Sequence, residues 1–140
     1  QAGFVELKQA KLSDKGWRIG KVGRELLPLG GIRRQYESYQ VLRGDLPGAE
    51  LKLEFEGRTV GAFILAGPDA GKVEASIDGG DFKMHDLFHR FSGGLNYPRS
   101  VIFGTDLKPG KHVLTLRLSK EKNSKSKGTT ASILFFEVNR

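Results

Sequence analysis

Between residues 50 and 56 the chain alternates without exception: Leu51, Leu53 and Phe55 are apolar, and Glu50, Lys52, Glu54 and Glu56 between them are charged. Successive side chains of a strand point to opposite faces, so this period of two demands a strand with one buried and one wet face. Gly57 ends it. Residues 60–65 form a nearly continuous apolar run suited to a strand in a sandwich core, after which Gly67-Pro68-Asp69-Ala70-Gly71 forces a turn. Val73, Ala75 and Ile77 then face one way and Lys72, Glu74 and Ser76 the other, before Asp78-Gly79-Gly80, residue types that accept the positive φ of a tight hairpin. Residues 51–82 are therefore expected to form a three-stranded antiparallel meander, with the other strands completing a sandwich around it.

The rest of the chain supplies those strands. Residues 4–10 and 17–22 alternate weakly, residues 36–42 are rich in side chains that suit a pleated surface, and residues 100–103 make a short run. Leu114, Leu116 and Leu118 alternate with Val113, Thr115 and Arg117, and residues 133–138 are apolar except for Glu137, the pattern of a strand buried on both faces. Residues 26–31, with Pro28 and two glycines, read as an irregular connection, and residues 95–99 as a loop. Met84, Leu87, Phe88 and Phe91 recur at three- to four-residue spacing, which predicts one or two helical turns closed by Ser92-Gly93-Gly94. The fold class expected is all-β: an antiparallel sandwich with no more helix than that.

The 140 residues suffice for one domain, 1–140, with its own core, and 19 glycines fit many tight turns. A chain opening on Gln1 reads as excised from, or processed out of, something larger. No apolar run has the length of a membrane span, so no membrane role is expected. The absence of cysteine removes disulfides, thiol catalysis and cysteine-ligated zinc. A net charge of +7 invites a polyanion partner, but six of the lysines fall between residues 108 and 127, largely on a hairpin and a Lys/Ser loop. That placement reads as a solvated loop and argues against nucleic acid.

Candidate chemistry is sparse. Asp86, His89 and Ser92 lie three apart and could share one face of a helical turn, but a serine before two glycines lacks the rigid setting that a nucleophile needs. His85 and His89, beside Asp81 and Asp86, fall short of a zinc site, and Asp69, Asp78 and Asp81 sit on separate turns rather than around a calcium ion. Gly67-Pro68-Asp69-Ala70-Gly71-Lys72 echoes a phosphate loop but is one residue short and leads into a strand. The expectation is no catalytic residue, no metal and no cofactor. For a sugar ligand the chemistry asks for an exposed ring flanked by planar polar groups. Trp17 reads as core or edge, and Tyr36 and Tyr39, on opposite faces of one strand, cannot both be buried. Tyr97 is the ring of choice, with Asn96, Arg99, His89 and Arg90 near it in sequence.

An ordered set of short motifs adds a family likeness. Ala10-Lys11-Leu12 with Lys15-Gly16-Trp17, Pro47-Gly48-Ala49-Glu50-Leu51, Ala66-Gly67-Pro68-Asp69-Ala70-Gly71, Ser76-Ile77-Asp78-Gly79-Gly80, Asp86-Leu87-Phe88, Leu107-Lys108-Pro109-Gly110-Lys111-His112 and Val138-Asn139 span nearly the whole chain. Together they resemble the β-sandwich module found beside the catalytic domain in many bacterial SGNH/GDSL-type hydrolases, esterase-like enzymes linked to polysaccharide breakdown. The resemblance implies a jelly-roll-like, non-catalytic accessory domain of the carbohydrate-binding kind, secreted or periplasmic, with a polysaccharide or a catalytic hydrolase domain of the same chain as partner. The pattern departs at Phe91 and Asn96, where the resemblance implies a tryptophan and a histidine. The hydrolase's own motifs, a Gly-Asp-Ser block near the start and an Asp-x-x-His near the end, are missing. Beside sugar binding stand a docking role that shapes a catalytic cleft and, less favoured, polyanion binding.

Overall fold

The computed structural model describes residues 2–140. The alternating stretch becomes strand β5 (Glu50–Glu56), whose leucines and Phe55 are buried while Lys52, Glu54 and Glu56 are exposed. It belongs to one of two antiparallel sheets that face each other across the core. In this second sheet the order is β2 (Lys11–Leu12), β5, β10 (Lys111–Leu118), β7 (Lys72–Ile77) and β8 (Lys83–Asp86). In the first the order is β3 (Trp17–Lys21), β4 (Gln40–Gly44), β11 (Ala131–Asn139), β6 (Thr59–Ala66) and β9 (Tyr97–Gly104). Strand β1 (Ala2–Val5) pairs with the C-terminal half of β11, on the edge whose N-terminal half is taken by β4. The architecture is the expected all-β sandwich.

The meander is not formed. β5 and β7 flank β10 in the second sheet, whereas β6 lies in the first between β11 and β9, so the chain changes sheet at both intervening turns. The hydrogen bonds of those turns give the reason. The Gly57 N–H donates to the Gly110 carbonyl, just before β10 of the second sheet, and the Arg58 N–H to the Asn139 carbonyl, on β11 of the first. At the next turn the Gly71 N–H goes to the Thr130 carbonyl. Alternation specifies which face of a strand is buried, but not which neighbour it pairs with.

Leu42, Leu51, Leu53, Val60, Ile64, Leu114, Leu116 and Phe136 form the heart of the core between the sheets. A second cluster, Val22, Leu26, Leu27, Val41, Leu65 and Leu134, lies on the opposite face of the first sheet, where residues 22–36 fold over it. The first sheet is thus covered on both faces in its middle, which explains the unbroken apolar runs in β6 and β11. A register shift between Ile133 and Phe135 places both Leu134 and Phe135 with the outer cluster.

Other local expectations change. Residues 84–91 are not helical: Lys83–Asp86 is the strand β8, paired with β7, and Met84 is exposed. The helical spacing there came from side chains that serve different neighbours. Two 3₁₀ turns lie instead at Leu7–Gln9, within the stretch expected as a first strand, and at Arg34–Tyr36. The second turn delays β4 to Gln40 and brings the rings of Tyr36 and Tyr39 to the same side, 5.8 Å apart, rather than to opposite faces. Trp17 packs against the core and its Nε1–H donates to the Glu50 carbonyl, 3.1 Å away. No helix is long and apolar enough to cross a membrane among the described residues.

Candidate ligand-binding site at the open side of the sandwich

β8 and β9 are the last strands of their sheets on one side, and residues 87–96 carry the chain across from one to the other. This crossing holds most of the residues singled out for binding. Tyr97 and Arg99, expected in a loop, lie in β9, where Tyr97 pairs with Ala66 and Arg99 with Ile64. Strand backbone fixes the Tyr97 ring more firmly than a loop would.

The rings of His89 and Tyr97 are stacked, with centroids 4.2 Å apart and planes 13° from parallel. Phe91 completes a three-ring group, 5.3 Å from His89 and 5.5 Å from Tyr97. It is 51% exposed, the most open of the three. The Arg90 guanidinium lies over the Phe91 ring, 4.9 Å from its centre. The Phe91 N–H donates to His89 Nδ1 (3.2 Å), which leaves the proton of a neutral imidazole on Nε2. Desolvation, then the charges of Arg99 and Arg90, lower the His89 pKa from the usual histidine value, so the ring is neutral near pH 7. The loop thus presents aromatic surface, a neutral ring donor and a guanidinium side by side.

Two of the named residues serve the scaffold instead. Asn96 is 2% exposed; its Nδ2 donates to the carbonyls of Leu29 (2.9 Å) and Gly31 (3.2 Å), and its N–H also reaches Gly31 O. A Cβ on Gly67 would stand 2.2 Å from its Oδ1, so only glycine fits opposite it. Asn96 therefore ties residues 29–31 to the start of β9, packs closely against the turn at residue 67, and has its side-chain N–H groups committed to the scaffold. Arg99 donates from Nη1 to the Leu87 carbonyl (3.1 Å), which braces the crossing loop. Phe91 is not among the candidates that the sequence offers, because its helical spacing suggests packing. The available signal was an aromatic flanked by Arg90 and a Ser-Gly-Gly turn.

The Asp86, His89, Ser92 series does not assemble a relay. Ser92 Oγ, fully buried, accepts from the His89 backbone N–H (3.0 Å) rather than meeting its ring. Asp86 accepts from the Phe88 N–H (3.0 Å) and from Asn123 Nδ2 (2.9 Å). Asp69 is paired with the buried Arg43, and Asp78 with His112 at 2.5 Å. Among the described residues no three His, Asp or Glu side chains gather as a metal site.

No family model matches the sequence, and no curated protein matches it. The fold itself recurs in solved structures. A two-domain esterase active on acetylated mannans, co-crystallised with mannopentaose, superposes with a TM-score of 0.66 at 10% identity over 99% of this chain and 36% of its own. A family two carbohydrate esterase from Cellvibrio japonicus gives 0.59 at 11% identity over 99% and 32%. A GH26-CBM35 β-(1,4)-mannanase from Podospora anserina gives 0.57 at 13% identity over 99% and 27%. All three are carbohydrate-active enzymes, and this chain spans about a third of each or less. At such identities the likeness is one of fold.

A second exposed aromatic group lies elsewhere on the first sheet. Where β1 and β4 leave a gap along β11, Phe4, Ile19, Tyr39, Leu134 and Phe135 line a groove of about 370 Å³. Phe4 is 74% exposed and meets Phe135 edge-on at 4.7 Å.

Proposed function

We propose that this chain is a non-catalytic carbohydrate-binding module of a secreted or periplasmic hydrolase of the SGNH/GDSL type, and that it holds a glycan on the His89–Phe91–Tyr97 platform. The observation that carries the reading is this ring group with Arg90 over it. An exposed ring offers the apolar face on which a pyranose stacks, and the neighbouring imidazole and guanidinium supply hydrogen-bond donors for its hydroxyls. The recurrence of the fold in carbohydrate-active enzymes, as about a third of each chain or less, supports an accessory role. Affinity electrophoresis against neutral and acidic polysaccharides, at low and high salt, tests it. Retardation by a neutral polysaccharide that survives salt and is lost in Phe91→Ala and Tyr97→Ala is the expected result. No retardation by any polysaccharide, or retardation abolished by salt, overturns it, the latter in favour of a polyanion.

A docking role is the second reading, favoured by the exposed groove around Phe4, Ile19 and Tyr39. In that case the groove covers a face of the catalytic domain, and Phe4→Ser or Ile19→Ser weakens that association while leaving polysaccharide retardation unchanged.

A further inference from the structure

The ring platform occupies one end of the open side of the sandwich. Toward the other end, between the free edges of β8 and β9, lies a cleft of about 550 Å³ lined by Ile77, Asp81, Lys83, His85, Phe103 and Leu107. That volume falls within the range of small-molecule sites, roughly 300–1,000 Å³. The His85 ring meets Phe103 edge-on, centroids 5.1 Å apart and planes at 87°. Its Nε2 is buried and has no hydrogen-bond partner in the protein.

We propose that this cleft is a second ligand site, which takes a neutral, hydroxyl-rich molecule of small-saccharide size, with His85 as its hydrogen-bonding group and the Ile77–Phe103–Leu107 wall as its apolar contact. Buried polar atoms in folded proteins nearly always have partners, because a desolvated donor or acceptor left alone is costly. A hydroxyl satisfies an imidazole nitrogen in either tautomer, since it both donates and accepts. Because Nε2 is buried, contact with an occupant requires the ring to turn about its outer torsion, which in histidine is broad and two-fold. Desolvation, then the nearby Lys83, lower the pKa of His85, which keeps it neutral and suited to an uncharged ligand. The charges on the lining agree: an anion entering the cleft meets Asp81, a cation meets Lys83, and the two formal charges cancel. The apolar wall matches the C–H face of a sugar ring. Phe103 lies six residues beyond Tyr97 on β9, about 20 Å along the strand at ~3.3 Å per residue, so the cleft is separate from the platform and stands or falls without it.

Titration of the ¹⁵N-labelled chain with glucose, mannose and galactose, followed by amide and imidazole resonances, tests the assignment. At least one sugar is expected to give saturable shifts at residues 77–85 and 102–107 and to move the His85 Nε2 resonance. His85→Ala weakens this binding about tenfold or more, and Thr105→Trp, an exposed rim position turned into a plug, removes it; Phe91→Ala leaves it unchanged. Absence of saturable shifts at the cleft with all three sugars overturns the proposal. So do shifts confined to residues 89–97, which would favour the platform alone, and cleft shifts that persist unchanged in both His85→Ala and Thr105→Trp.

Discussion

Asp69→Ala isolates the electrostatics of the turn that carries the chain from β6 to β7. Arg43, on β4, is 4% exposed; its Nη1 donates to Ser132 Oγ (2.9 Å) and its Nη2 to the Asp69 carboxylate. The Asp69 main chain is bound separately, its carbonyl accepting from the N–H (3.0 Å) and Oγ1 (2.9 Å) of Thr130, so alanine keeps the backbone ties and deletes only the charge. What remains is a guanidinium shut away from water with one hydroxyl for company. Removing one partner of such a pair costs about 3–5 kcal/mol. For a chain of this size each kcal/mol moves Tm by roughly 3–4 °C, so a fall of about 10–20 °C is expected. The assay is thermal and urea unfolding, followed by circular dichroism, of the wild type, Asp69→Ala, Asp69→Leu, Arg43→Met and the double variant Arg43→Met/Asp69→Leu. The double variant leaves no buried charge and is expected to lie within about 1–2 kcal/mol of wild type, far above the sum of the single losses. A loss below about 1 kcal/mol in Asp69→Ala, the value of an exposed pair, would refute the reasoning.

Asn96→Ala takes the side-chain amide from the Leu29 carbonyl, while the Gly31 carbonyl keeps the main-chain N–H of residue 96, and is expected to cost about 1–3 kcal/mol in urea unfolding, while the folded variant keeps its polysaccharide retardation. Phe91→Ala should do the reverse, with stability within about 0.5 kcal/mol of wild type and retardation lost. Gly71→Ala places a Cβ 2.5 Å from backbone atoms of Thr129, which cannot yield as a side chain would; unfolding should show a loss of about 3 kcal/mol or more. The Asp78–His112 hydrogen bond raises the His112 pKa above 6.5 and lowers that of Asp78 below 3.8. The His112 contribution is complete below its unfolded value of 6.5 and fades as pH rises through the folded value; that of Asp78 is present above 3.8 and fades as pH falls through its folded value. His85 and His89, with lowered values, work in the opposite direction as pH falls below 6.5. The difference in Tm between wild type and His112→Asn removes their effect and should widen from about pH 8 down to about pH 5.5; a difference independent of pH would show that the tie is not ionic.

How far the chain could be read depends on the kind of constraint each residue carries. Leu51, Leu53 and Phe55 report their own burial through the period of two, and Asp78-Gly79 report their own turn, with φ of 52° and 75°. Both are local properties. Which strand lies beside β5 is settled by β10, more than fifty residues away, and no local pattern contains it. The same divide runs through the site. Tyr97 and His89 could be named because rings near planar polar groups have the right chemistry, and they do stack. The role of Asn96 depends on Leu29, Gly31 and Gly67, which are distant in sequence, so its burial was hidden. Phe91 had the spacing of a core residue and became the most exposed ring of the platform.

The place of β11 bears on how the molecule is made. The final strand lies inside the first sheet and is the partner of β1, β4 and β6. Of the described strands it is the last that a ribosome releases, so until residues 131–139 are free those three strands have no ladder on the side that β11 will fill, and the outer apolar cluster lacks Leu134. Until β11 emerges, β1, β4 and β6 keep unpaired edges on that side, in view of any holdase. Premature termination before residue 131 yields a product without the centre of its first sheet, which marks such fragments for aggregation or disposal rather than partial function.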